Sequence, residues 1–325
     1  MARTSLSIGL AALALVFGCV PAPDLSGVEV NRGSSVLRSD AFQAAAANGR
    51  LLVAAGGAGV LVRSTDRGKT WSRQLLSEPS SIIGLTSCAD GSFAALDFYK
   101  VVWFADSSGE QWIARPLDAG FTPIAIACDA TNRVWVAGGN TTLASTADRG
   151  RNWQAKKLGG DAYLNAVQFV GDRHGFALGE FGIVLSTEDG GSSWTKQPQI
   201  QGDFYPYSAV FLDAKRGWVS GLAGVILRTE DGGKSWIKQE NRSGGALYSL
   251  MHQGERLYGV GGSALVVLDG DVWRPLAGAA AANAPLVAAA TLDEQTVFAV
   301  GYGGALKLIT TKPERNTQSA SSSVR

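Results

Sequence analysis

Apolar residues along this chain come in short pieces that alternate with polar ones and stop at turn residues. "LNAVQFV" (164–170), "HGFALGEFG" (174–182), "GIVLST" (182–187) and "WTKQPQI" (194–200) are bounded by Gly, Asp and Ser. Such pieces fit strands in length and spacing, because alternate residues of a strand face opposite sides of a sheet. No stretch beyond residue 20 carries a helical apolar face of ten or more residues. The pattern predicts an all-β protein built of short strands.

The pieces recur on a fixed period. Tryptophans 71, 112, 153, 194 and 236 are separated by 41, 41, 41 and 42 residues, and Trp273 follows after 37. A second marker precedes each: Gly56, Asp97, Gly138, Gly179, Gly221, Gly261 and Gly301, at intervals of 40 to 42. Seven marks imply seven units of four strands. From Cys19 onward 307 residues remain, which seven units nearly fill. Repeats of roughly 40–45 residues with four strands apiece predict a seven-bladed β-propeller of four-stranded antiparallel blades, since no such unit can bury both of its faces alone.

Between the third and fourth strands of four units the same turn is written: "STDRGKTW" (64–71), "TADRGRNW" (146–153), "TEDGGSSW" (187–194) and "TEDGGKSW" (229–236). This is the Asp box. Asp66, Asp148, Asp189 and Asp231 are expected to accept hydrogen bonds from their own turns, while Gly68, Gly150, Gly191 and Gly233 permit positive φ. Trp71, Trp153, Trp194 and Trp236 are expected to close the turns and pack where the last two strands meet a neighbouring blade. Carboxylates held by their own turns are poor catalysts, so the boxes are read as scaffold. The second unit keeps only Gly109 and Trp112 in "ADSSGEQW", and the sixth shortens its turn to "DGDVW". The seventh has three strands and no box tryptophan, so "SGVEVNR" (26–32) is expected to supply its missing outer strand, because an uncovered edge invites aggregation.

Composition narrows the class. Of 325 residues 46% are hydrophobic and 18% charged, and the net charge is +1, so no basic footprint for nucleic acid exists. The first residues, "MARTSLSIGLAALALVFGCV", have Arg3 and an apolar run from Ile8 to Val20 that is too short to span a bilayer; residues 1–19 read as an export signal. The run ends Val16-Phe17-Gly18-Cys19, which resembles the bacterial lipoprotein box. There Cys19 would carry the lipid that holds the mature chain on a membrane; a plain cleaved signal is the alternative. Residues 20–39 form an N-terminal segment, 40–311 the propeller, and 312–325 an unpatterned tail expected to be disordered. Cys88 and Cys128 read better as two small buried hydrophobes than as a pair, though an oxidising compartment permits pairing.

Seven units containing "HGFALGEFGIVLSTEDGGSSW" and "RGWVSGLAGVILRTEDGGKSW" resemble the photosystem II stability and assembly factor family of propellers over about residues 40 to 311. The resemblance implies a non-enzymatic, exported factor that holds a membrane protein during assembly, and the leader suits a periplasm-facing bacterial member. The competing class is an Asp-box glycosidase such as a sialidase, or a carbohydrate-binding propeller. A sialidase would need an arginine cluster, an Arg-Ile-Pro stretch and a Tyr–Glu pair with an Asp acid. The chain has no Arg-Ile-Pro. His174 and His252 are the sole histidines, neither in a metal-ligand spacing, so no metal, no cofactor and no catalytic residue is expected.

A protein partner is expected at the mouth opposite the boxes, formed by the loops between blades and between second and third strands. These loops carry Phe98, Tyr99, Phe121, Tyr163, Glu180, Phe181, Phe204, Tyr205, Tyr207, Tyr248 and Tyr302. Aromatic loop tips suit protein contacts because a large ring gives area at small entropic cost. The densest piece is "DFYPYS" (203–208).

Overall fold

The second strand of every unit is apolar at consecutive positions, as in "LVAAG" and "VWVAG", so both of its faces must be covered. A computed structural model of the chain describes residues 33–77, 80–262, 264–276 and 284–311. In it Leu52–Gly56 and Val134–Gly138 are buried along their whole length. Leu52 and Ala54 enter one core cluster while Val53 and Ala55 enter another, which is the division a strand's alternation produces between two neighbouring sheets.

Among the described residues the chain makes seven successive antiparallel meanders, which gives seven blades. Their first strands are Phe42–Ala47, Ile82–Ser87, Pro123–Cys128, Leu164–Val170, Pro206–Phe211, Ser249–Gln253 and Leu286–Asp293. Each of these lies against the first strand of the next blade, and the seventh lies against the first. The core is correspondingly divided into seven apolar clusters, one in each seam between blades. The cluster of Phe42, Leu52, Val62, Leu292, Phe298 and Val300 closes the ring by joining blade seven to blade one.

The glycine marker has a steric cause. A Cβ built on Gly56 would lie 1.9 Å from the carbonyl oxygen of Ala41, and on Gly138, Gly179, Gly261 and Gly301 about as close to the oxygens of Thr122, Tyr163, Ala246 and Pro285. The connector entering each blade passes directly over the end of that blade's second strand, so a side chain there would push it away. Blade two carries Asp97 at this place, buried, with its carboxylate bonded by the Ser80 hydroxyl and the Tyr99 amide.

Blades five and six are fused. Ile237–Asn241 pairs in parallel with Val272–Pro275, giving one eight-stranded sheet. Buried Gln239 accepts the indole N–H of Trp218 and of Trp273, both at 2.9 Å, and so ties one tryptophan from each blade to a single amide. Trp273 therefore differs from the box tryptophans, and the short Gly270-Asp271 turn explains its displaced position in the repeat.

Blade seven has the three strands expected, Leu286–Asp293, Thr296–Gly301 and Leu306–Thr310. The segment 26–32, expected to complete it, lies outside the described residues, as do the leader with Cys19 and the tail 312–325. The adjoining residues are fixed at the closing seam: Asp40 is buried in a bidentate pair with Arg73 at 2.8 and 3.0 Å, and its carbonyl accepts the Gly304 amide at 2.8 Å.

One expectation is corrected. Cys88 and Cys128 form a disulfide, with Cα atoms 5.2 Å apart. They are 40 residues apart, one repeat, and so fall at matching ends of adjacent first strands, which the ring brings side by side. Equivalent positions in neighbouring blades are neighbours in space, and that geometry was already implicit in the period.

Candidate functional site

The Asp boxes are joints. Thr187 Oγ1 accepts the Gly191 amide at 2.9 Å and donates to Asp189 at 2.8 Å; Asp189 also accepts the Ser193 amide at 2.8 Å and the Ser193 hydroxyl at 2.6 Å. Ser64–Asp66–Thr70, Thr146–Asp148–Asn152 and Thr229–Asp231–Ser235 repeat the arrangement. The box glycines have φ of 79 to 88°, and a Cβ on Gly191 would sit 2.2 Å from the Trp135 ring. Each box turn is thus pressed onto the preceding blade. Trp71 stacks on Phe298 of blade seven at 5.4 Å, Trp194 meets Trp135 of blade three edge to face, and Trp153 and Trp236 pack into the seams before their own blades.

Side-chain hydrogen bonds from Thr70, Asn152 and Ser193, then those from the same residues' amides, hold Asp66, Asp148 and Asp189 down at about 2. At Asp231 burial pushes upward, but the Ser235 hydroxyl and amide prevail and the value is again lowered. A folded-state value below the unfolded one stabilises the fold above the ordinary aspartate value of 3.8, and that contribution is lost as pH falls toward about 2. The urea midpoint should therefore fall steeply across this window in the wild type and less steeply in Asp189→Asn. Equal slopes would show that the box carboxylate is not held ionised by the fold.

At the opposite mouth the aromatic residues separate into two groups. Phe98, Tyr99, Phe181, Tyr248 and Tyr302 are exposed, with Tyr163 at the margin at 37%. Tyr205 and Tyr207 are half-buried, and Tyr207 meets Tyr248 edge to face at 5.3 Å across blades five and six. Phe98 and Tyr99 form a second such pair at 5.5 Å. Phe121 and Phe204 are corrected: both are buried and belong to seam clusters. Phe204 lies where a Cβ on Gly221 would be, so the connector itself seals the seam beneath it. Glu180 accepts the Tyr163 amide at 2.9 Å and organises the loop. Leu222, 51% exposed, was missed by a search for rings; setting "GLAG" beside "GEFG" reveals it, since both make the same turn after a second strand.

Between these tips the first strands line a channel with Gln43, Ile83, Ile126, Asn165, Ser208 and Ser249 among its walls. No group of three His, Cys, Asp or Glu among the described residues is placed to hold a metal ion.

A closed ring of antiparallel meanders joined by these turns defines an Asp-box, or BNR, β-propeller. The family model for the photosynthesis system II assembly factor YCF48 matches residues 94–186 and 152–255. The photosystem II assembly lipoprotein Ycf48 of Prochlorococcus marinus (strain MIT 9313) is 25% identical over 39% of this chain and 54% of its own. The chloroplastic photosystem II stability/assembly factor HCF136 of Arabidopsis thaliana is 36% identical over 20% of this chain and 17% of its own. The matches thus span about half of the first relative's length and far less of the second's. The solved structure of YCF48 from Cyanidioschyzon merolae superposes with a TM-score of 0.69 at 15% identity, covering 84% of this chain and 96% of the other. A structure of YCF48 bound to D1 peptide gives 0.67 at 18% identity, covering 84% and 94%. The chain belongs to the photosystem II assembly factor-like family of BNR propellers.

Proposed function

We propose that this chain is a non-catalytic scaffold or assembly factor that docks a membrane protein, or a complex of membrane proteins, at the aromatic mouth of the propeller. The observation that carries the reading is the set of exposed rings, Phe98, Tyr99, Phe181, Tyr248 and Tyr302, gathered on loop tips opposite the boxes. Side chains of this size left in water on a rigid ring are suited to a protein surface. The relative solved with a D1 peptide supports a polypeptide as the occupant. The box carboxylates are committed to their own turns, which favours scaffolding over hydrolysis.

Residues 1–19 serve as the export signal, Cys19 carries a lipid, and residues 40–311 face the periplasm as the propeller. The name lipoprotein borne by the Prochlorococcus relative supports the anchor. Capture from a detergent extract of the native host, with the wild type and with Tyr205→Ala/Tyr207→Ala as bait, tests the docking. Loss of the co-purifying membrane protein with the double variant is the expected result, and undiminished capture would exclude this mouth.

A further inference from the structure

We infer that the arc of the mouth over blade four takes a polypeptide segment carrying Lys or Arg beside apolar side chains. The inference rests on the docking reading of this mouth and names the chemistry of its occupant.

Three backbone hydrogen bonds join four strips of chain into one surface at this arc. The Glu180 amide donates to the Tyr163 carbonyl at 2.9 Å, the Gly182 amide to the Phe204 carbonyl at 2.8 Å, and the Leu222 amide to the Tyr205 carbonyl at 3.2 Å. The connector ending at Tyr163, the turn Glu180–Gly182, the connector ending at Tyr205 and the turn Leu222–Gly224 are thereby joined side by side. The surface is apolar at its tips: Phe181 is 57% and Leu222 51% exposed. Phe181 also has φ of 59°, a left-handed conformation that bulky residues avoid, at a place where blades one and five have Ala58 and Ala223 at 55°. The turn needs no phenyl ring, since two other blades make it with a methyl group.

Charge selects the occupant. Asp161 and Asp203 are exposed and Glu180 half-buried on this surface, and none of the three is in an ion pair among the described residues. The strips 158–163, 180–182, 199–205 and 222–224 contain no Lys or Arg. The opposite face differs: there Arg67 pairs with Asp293 and Arg216 with Asp213 and Glu255. Uncompensated carboxylates around an exposed phenyl ring repel an acidic segment and attract a basic one, whose cations also find the ring faces.

Two labelled synthetic peptides on one Leu/Ala framework, one bearing Lys and the other Glu, separate the possibilities by fluorescence anisotropy against the full propeller. The Lys peptide should bind about tenfold tighter at low salt, with the advantage shrinking as salt is added. Asp161→Asn/Asp203→Asn should weaken it about three- to tenfold, and Phe181→Ala about tenfold. Asp172→Asn on the box face should change nothing. Phe181→Ala is expected to melt like the wild type, because alanine already occupies the same turn elsewhere.

Equal binding of both peptides, or of neither, overturns the inference. So does Lys-peptide binding unchanged in all variants, and so does self-association of the propeller that Phe181→Ala abolishes, which would put a second copy at this arc. Host-protein capture that depends on Tyr205 and Tyr207 without any charge preference sinks this inference alone. A charge preference without such capture sinks the assembly role alone.

Discussion

Trp194→Ala should destabilise the propeller by about 3–5 kcal/mol and lower its melting temperature by roughly 5–8 °C. The indole fills the seam between blades three and four, with the Trp135 ring at 6.1 Å and the Phe169 ring at 6.0 Å, both edge to face. Truncation removes the apolar burial and leaves a void that a rigid pair of sheets cannot collapse into. Differential scanning calorimetry of the variant beside the wild type measures the effect. A loss below about 1 kcal/mol would mean that the box tryptophans decorate the turns without joining the blades.

Removing the disulfide should cost nearly as much. Replacing Cys88 and Cys128 together by Ala frees a loop whose ends are 40 residues apart, and the loop-closure entropy regained by the unfolded chain is worth about 4 kcal/mol. The native seam changes little, because alanine suits a site already packed among Leu117, Phe121 and Val134. The urea midpoint should fall in the double variant, and a reducing agent should bring the wild type to the same value. Unchanged midpoints under both treatments would show that the bond adds nothing to stability.

The ring was legible in the sequence because its cause is repetitive. Tryptophans at a nearly constant interval, second strands apolar on both faces and boxes at one turn all require sheets that cover one another, and the seven seams follow. The steric role of the glycine marker was not legible, since the carbonyl that excludes a Cβ at Gly56 comes from Ala41, on a connector whose path no local pattern reveals. Phe121 and Phe204 were misplaced for the same reason: a ring in a connector can point out to the mouth or down into the seam with no change in the surrounding text. The bond between Cys88 and Cys128 could have been read from the period. Gln239 could not, because its two tryptophan partners meet only where blades five and six fuse.

The connector carbonyls seated on side-chain-free positions bear on how such a propeller changes its clientele. Because the backbone beneath the loops is pinned by Gly138, Gly179, Gly221, Gly261 and Gly301, residues at the tips are interchangeable without disturbing what lies below. Glu180 and Leu222, or Phe181 and Ala223, occupy the same geometry with unrelated chemistry. A ring of this build can acquire a new ligand by point substitutions at its rim while its joints stay as they are.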